Sequence, residues 1–229
     1  DDIVLAFPVG GSAAVVDFSD GSPVGRFDRR QFDSVSVFLG NGDDRFKVSP
    51  GDPLTDSPVT VDGGNGDDTL SGGNAKDVLY GGRGDDTLDG GVGADTEFLG
   101  LGDDTALWVP GEGSDVVHGD RGEDTLAFDG GGGVDSMTLD ATGEQSVFFR
   151  EPGGIRMDLD SVEAVVAKPL AGADRLTVNG TDAPESVDVA VDAGRVAVTG
   201  LVPRLEIVGP EPIDALQLKK GFVVEDIGA

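Results

Sequence analysis

Leucine recurs at every ninth residue from Leu70 through Leu79 to Leu88, each time two residues ahead of a Gly-Gly pair. Only about three residues around each leucine have room for a strand, as in Thr69-Leu70-Ser71. In an extended chain successive side chains face opposite ways, so the leucine points to one side and its neighbours to the other. Glycines at the first, second and fourth places of each unit tolerate positive φ and let the chain bend sharply between strands. Nine residues therefore make one turn and one strand, or half a coil. Eighteen bring the chain back to its starting face, one strand spacing higher.

Outside this run, apolar positions fall in short β-branched segments bounded by Gly, Asp, Asn or Pro. Upstream these are residues 3–7, 14–18 and 34–38; downstream they are 146–150, 155–159, 175–178, 186–191 and 195–198. Helix-period patterning is almost absent, so the expected class is all-β. A solenoid buries little per coil and has open ends that must be covered. The expected organisation is an N-terminal β cap over residues 1–60, a roll over 61–139, and a C-terminal β-strand region over 140–229. That last region is either a cap or a degenerate continuation of the solenoid. Phe7, Phe18, Phe38, Phe46, Phe148 and Phe149 are expected to be ordinary core of these flanks.

The full unit spells Gly-Gly-x-Gly-x-Asp-x-apolar-x, as GGNGDDTLS from Gly63, GGNAKDVLY from Gly72, GGRGDDTLD from Gly81 and GGVGADTEF from Gly90. Because alternate turns stack, the sixth-place aspartates sort into two ladders. One holds Asp44, Asp68, Asp86, Asp104 and Asp124; the other holds Asp77, Asp95, Asp115 and Asp135. Two-residue insertions near Trp108 and Phe128 preserve the alternation. Carboxylates stacked at about 4.8 Å repel one another, and a cation between them removes the repulsion. Turn carbonyls and aspartates are the hard oxygen donors that calcium takes six to eight at a time. One ion per adjacent pair would come to about seven ions at most.

Charge narrows the partners. With 16 Lys+Arg against 44 Asp+Glu the formal charge is −28, which argues against nucleic acid and against attraction to anionic lipid. Acids outside the repeat frame, such as Glu151, Glu163 and Glu185, read as solvated surface. Cysteine is absent, so there are no disulfides and no Cys-based zinc site. No apolar run of about twenty residues predicts a membrane helix. A chain beginning at Asp1, without Met or signal peptide, is expected to be a processed form or a fragment.

Catalysis finds little footing. The single histidine, His118, lies near Ser114 and Asp115, but Asp115 already belongs to a ladder and His118 reads as a solvent-facing turn residue. Paired acids such as Asp67-Asp68 could serve glycosidic chemistry, yet they recur as Asp43-Asp44, Asp85-Asp86 and Asp103-Asp104 along the rod. The glycine run at 130–133 lacks the Lys-Ser/Thr of a phosphate loop. No enzyme activity is expected.

Residues 39–139, including LGNGDDRFK at Leu39 and GEDTLAF at Gly122, resemble the hemolysin-type calcium-binding repeats of secreted bacterial RTX proteins. VTVDGGNGDDTL, MDLDSVEAVVAKPLAGADRLTVNGTD and LEIVGPEPIDALQL are similar to exported actinobacterial calcium-binding β-strand-repeat proteins, and that broader likeness covers nearly the whole chain. The resemblance implies a right-handed parallel β-roll, or β-solenoid. It also implies that each Ca2+ ion is held by sixth-place aspartates together with carbonyls of the second and fourth places. Here those carbonyls belong to Gly64, Gly66, Gly82, Gly84, Gly91, Gly93, Gly100 and Gly102.

Departures from the pattern carry their own expectations. Ala75 and Lys76 should weaken the Asp77 turn, and Asp120 replaces a second-place glycine. Glu97 stands where an apolar residue should face inward, so a local shift is expected to bring Phe98 in instead. Asp174 resembles a decayed repeat. The expected protein is a calcium-binding structural or surface-interaction protein, extracellular or on the bacterial cell surface, whose roll orders on binding calcium. Its partner would be a surface component, a second copy or another protein. The alternative is an accessory or binding segment of a larger secreted enzyme.

Overall fold

The computed structural model describes residues 3–8, 14–17, 32–48, 56–131, 134–141, 145–169, 175–179, 185–192, 195–199, 204–208, 215–219 and 222–228. Among them every regular element is a strand. β1 (Ile3–Pro8) and β2 (Ala14–Asp17) form an antiparallel hairpin, and β1 lies antiparallel on β3 (Phe32–Asn41). From there the chain alternates between two sheets. It runs through β4 (Arg45–Lys47), β5 (Val59–Asn65), β6 (Thr69–Ser71), β7 (Val78–Arg83) and β8 (Thr87–Asp89). It continues through β9 (Thr96–Leu101), β10 (Thr105–Trp108), β11 (Val116–Arg121) and β12 (Thr125–Gly131). From β3 to β12, odd strands pair in parallel in one sheet and even strands in the other, which is a parallel β-roll.

The glycine turns and three-residue strands set the register. Val61, Leu79, Glu97 and Val117 stand in line on the inner face of the first sheet. Leu70, Leu88, Ala106 and Leu126 line the second. All eight are buried. A fully buried leucine contributes about 2 kcal/mol, and the three-residue strands β6 and β8 supply only one such position each, Leu70 and Leu88, so the core stays thin there. It thickens at the upper end, where Trp108 stacks on Phe128 at 4.2 Å and Phe148 tilts against Phe128 at 4.6 Å.

Above β12 the coil changes pitch. β13 (Ser136–Asp140), β14 (Gln145–Glu151) and β15 (Ile155–Asp160) form an antiparallel meander, and β15, not β13, lies parallel on β11. The chain thus passes three strand positions ahead and returns. β16 (Ala164–Pro169) then sits on β12, and β17 (Arg175–Asn179) on β13. The second sheet repeats the manoeuvre with β18 (Glu185–Asp192), β19 (Arg195–Thr199) and β20 (Arg204–Val208), the last lying parallel on β16. β21 (Ala215–Lys219) and β22 (Phe222–Gly228) complete the two sheets.

Three expectations need correction. Glu97 keeps its register between Leu79 and Val117 and faces inward, while Phe98 faces outward and stacks between Tyr80 and His118 at 4.8 and 4.7 Å. His118 lies in a strand, not a turn. Of the flanking phenylalanines, Phe148 is buried and Phe46 packs against the core, but Phe38 is 41% exposed. The side chains of Phe7 and Phe18, and Asp174 as a whole, lie outside the described residues.

Candidate metal centre

The sixth-place aspartates occupy the bend just before each strand, where the turn closes. In the first ladder each one takes a backbone bond from its counterpart one coil below. Asp44 N–H donates to Asp68 Oδ1 at 2.8 Å, Asp68 N–H to Asp86 at 2.7 Å, Asp86 N–H to Asp104 at 2.6 Å, and Asp104 N–H to Asp124 at 3.0 Å. The second ladder repeats this, with Asp77 N–H donating to Asp95 at 2.7 Å and Asp95 N–H to Asp115 at 2.8 Å. One carboxylate oxygen per aspartate is therefore committed to holding the coils together.

The other oxygen is not. Oδ2 of Asp44, Asp68, Asp86, Asp95, Asp104 and Asp124 is buried without a hydrogen-bond partner. A buried polar atom left unpaired costs about 1–3 kcal/mol, more when charged, which rivals what the adjacent leucine contributes. Burial accordingly pushes the carboxyl groups of Asp86, Asp95 and Asp124 up to about 7 and that of Asp115 to about 6, with backbone bonds opposing the shift. Burial raises Asp68, Asp77 and Asp104 as well. Asp77 differs in its bonding, because Val59 N–H occupies Oδ1 and Gly73 N–H occupies Oδ2. Beside Ala75 and Lys76, that turn presents a carboxylate already satisfied.

The glycines bring backbone oxygens to the same edge. Gly82 holds φ at +114°, and a Cβ there would collide with the Gly64 carbonyl oxygen directly below. Gly100 stands in the same way over the Gly82 carbonyl, Gly84 over Gly66, Gly102 over Gly84, Gly93 over Ala75 and Gly91 over Gly73. The position-one glycines matter differently: Gly63 and Gly81 lie against Oδ2 of Asp68 and Asp86, where a side chain would fill the space. Among the described residues no three His, Cys, Asp or Glu side chains converge tightly enough to hold a metal by themselves. Backbone oxygens must supply the remainder.

This donor set fits calcium. It consists of oxygen only, includes a buried carboxylate oxygen with no partner, and is cradled by glycines that admit no side chain. Asp68, Asp86, Asp104, Asp124, Asp95 and Asp115 would hold the ions. Bound calcium supplies a multidentate positive centre that offsets the stacked carboxylates.

Two ladder ends depart from the sequence expectation. Asp135 does not stack on Asp115, because β15 and β14 separate β13 from β11. A guanidinium meets it instead: Arg150 Nη2 lies 2.7 Å from Asp135 Oδ1, donates to the Gly130 carbonyl at 2.7 Å, and has its carbon centre 5.6 Å from the Trp108 ring. Asp135 is thus neutralised by the protein's own cation. Glu163, expected to be plain surface, tops the first ladder, since its Oε2 accepts Asp124 N–H at 2.8 Å in the manner of the aspartates below. Asp120 adopts φ +68°, the left-handed conformation of the glycine it replaces. Ser114, Asp115 and His118 do not form a triad. Ser114 Oγ accepts Arg156 N–H, Asp115 accepts Asp95 N–H, and His118 Nδ1 lies 3.2 Å from Asp160.

Residues 62–97, 71–106 and 111–137 match the family model of the RTX calcium-binding nonapeptide repeat. No curated protein and no solved structure matches the chain. No helix among the described residues is long and apolar enough to cross a membrane. Between residues 62 and 137, the chain therefore carries RTX calcium-binding nonapeptide repeats, built as a parallel β-roll.

Proposed function

We propose that this is an exported bacterial protein with a structural or surface-interaction role, whose roll orders and stiffens on binding calcium. One observation carries the reading: the row of buried aspartate Oδ2 atoms without partners on the first ladder. Without an ion those atoms oppose folding; with one they cross-link successive coils. RTX repeats are typical of exported proteins, and extracellular calcium modules bind at about 10⁻⁴ to 10⁻³ M. Such a chain stays loose inside the cell and orders outside it. The reading assigns no catalytic step to His118 or to the paired aspartates, and it takes the partner to be a surface component, another protein or a second copy.

Circular dichroism and thermal melting, with calcium and with a chelator, test the coupling. Calcium should increase strand content and raise the melting temperature. Identical spectra and melting in the two conditions would refute it. Calorimetry tests the compartment, and submicromolar affinity at every site would contradict an extracellular role.

A further inference from the structure

The first ladder builds each of its lower positions from the same three donors. A Cβ on Gly63 would meet Asp68 Oδ2 and the Gly81 carbonyl oxygen of the coil above. A Cβ on Gly81 would meet Asp86 Oδ2 and the Leu99 carbonyl oxygen, each at 2.5 Å. The third donor is the carboxylate of the coil above, which accepts the lower aspartate's N–H, as Asp86 does from Asp68 at 2.7 Å.

The same three donors recur above Asp124, two of them from residues outside the nonapeptides. A Cβ on Gly119 would meet Asp124 Oδ2 at 2.7 Å, and the Ser161 carbonyl oxygen as well. Asp124 Oδ2 is buried without a hydrogen-bond partner. Ser161 comes next after the His118–Asp160 pair in the register of β11 and β15. It holds φ at +54°, a conformation uncommon outside glycine. Glu163 supplies the carboxylate, since its Oε2 accepts Asp124 N–H at 2.8 Å and its charge bears on the Asp124 carboxyl.

Only Ser161-Val162-Glu163 connects β15 to β16, so the longer reach of a glutamate stands in for the missing turn residues. Val162 is buried, and Glu163 N–H and Ala164 N–H both donate to the Asp124 carbonyl, which fixes the connection in place. Asp135 has Arg150 to neutralise it. Among the described residues no Lys or Arg pairs with Asp124 or Glu163.

We propose that Asp124, Ser161 and Glu163 form a further calcium site, which closes the first ladder with an ion that ties β16 to the repeats. The inference rests on the calcium reading above and extends it to residues outside the nonapeptide pattern.

Metal counting and calorimetry with calcium, on wild type and Glu163→Gln, decide it, with amide hydrogen exchange as the local readout. Glutamine keeps an oxygen for Asp124 N–H, so the variant should retain the strand spectrum. It should bind one ion fewer, or one ion about tenfold or more weakly, with the remaining sites unchanged. In wild type, calcium should slow exchange of the Glu163 and Ala164 amides. In the variant that slowing should be lost, while the Thr87 and Thr105 amides, which donate to the Asp68 and Asp86 carbonyls lower in the ladder, keep theirs. If Glu163→Gln matches wild type in count, affinity and exchange, Glu163 is a hydrogen-bonding cap alone, and the inference falls while the calcium reading stands. If wild type itself binds no calcium, the calcium reading falls with it.

Discussion

Replacing Asp86 by asparagine separates what the aspartate does for the fold from what it does for the metal. The amide keeps an oxygen for Asp68 N–H, a 2.7 Å bond, so the coil-to-coil link survives. Only the charge is lost. In the metal-free protein this should be neutral or stabilising above about pH 7, because burial holds the native carboxyl at about 7 and ionisation there opposes folding. In calcium the sign inverts. Asp86 stands between Asp68 and Asp104 and would contact an ion on each side. A site occupied at a hundredfold over its dissociation constant adds about 2.7 kcal/mol, so two weakened sites withdraw up to about 5 kcal/mol. Chemical denaturation at pH 8, run in chelator and in saturating calcium, measures both numbers, and metal counting should show up to two ions lost. Equal destabilisation in the two conditions would refute the reasoning, since it would make Asp86 a hydrogen-bonding residue and nothing more.

Three further outcomes are expected. In chelator the melting temperature should fall as pH rises from about 5 to about 8: the native carboxyls of Asp86, Asp95, Asp115 and Asp124 titrate at about 6 to 7, above the unfolded value of about 4. Their contribution is therefore fully present below the unfolded pKa and is lost through the folded one; calcium should flatten or reverse the trend. Asp135→Ala should leave the calcium count unchanged yet lower stability with and without calcium, by about 3–5 kcal/mol, because it strands the Arg150 guanidinium. His118→Ala should lower stability by no more than about 1.5 kcal/mol through lost stacking on Phe98, with calcium affinity unchanged by calorimetry.

What could be read in advance follows how local the pairing is. Asp68, Asp86 and Asp104 repeat at eighteen residues, one coil, and the leucine period fixes that register without knowledge of anything distant. Glu163 sits 39 residues beyond Asp124 and arrives by a different chain path, with no glycine turn to announce it. Asp135 was placed on a ladder because residues 130–135 imitate a repeat turn, but the chain leaves the coil there. Glu97 was expected to slip outward, since burying a carboxylate is costly. A slip of one residue would reverse every side chain of β9, exposing Leu99 and pulling Phe98 out of its stack with Tyr80 and His118.

The passage of three strand positions after β12 also has a consequence in time. As the chain lengthens from its N-terminus, β11 and β12 present open upper edges, and the strands that finally cover them start at Ile155 and Ala164. β13 emerges first, preceded by a turn that looks like another repeat. The short step onto β11 is open to it, in the place that belongs to β15. Were β13 to settle there, that pairing would have to be undone before the meander could form. A chain ended at residue 141 would have no competitor to drive the exchange. It would keep the early pairing, with a bare edge above it on which a second such chain could add.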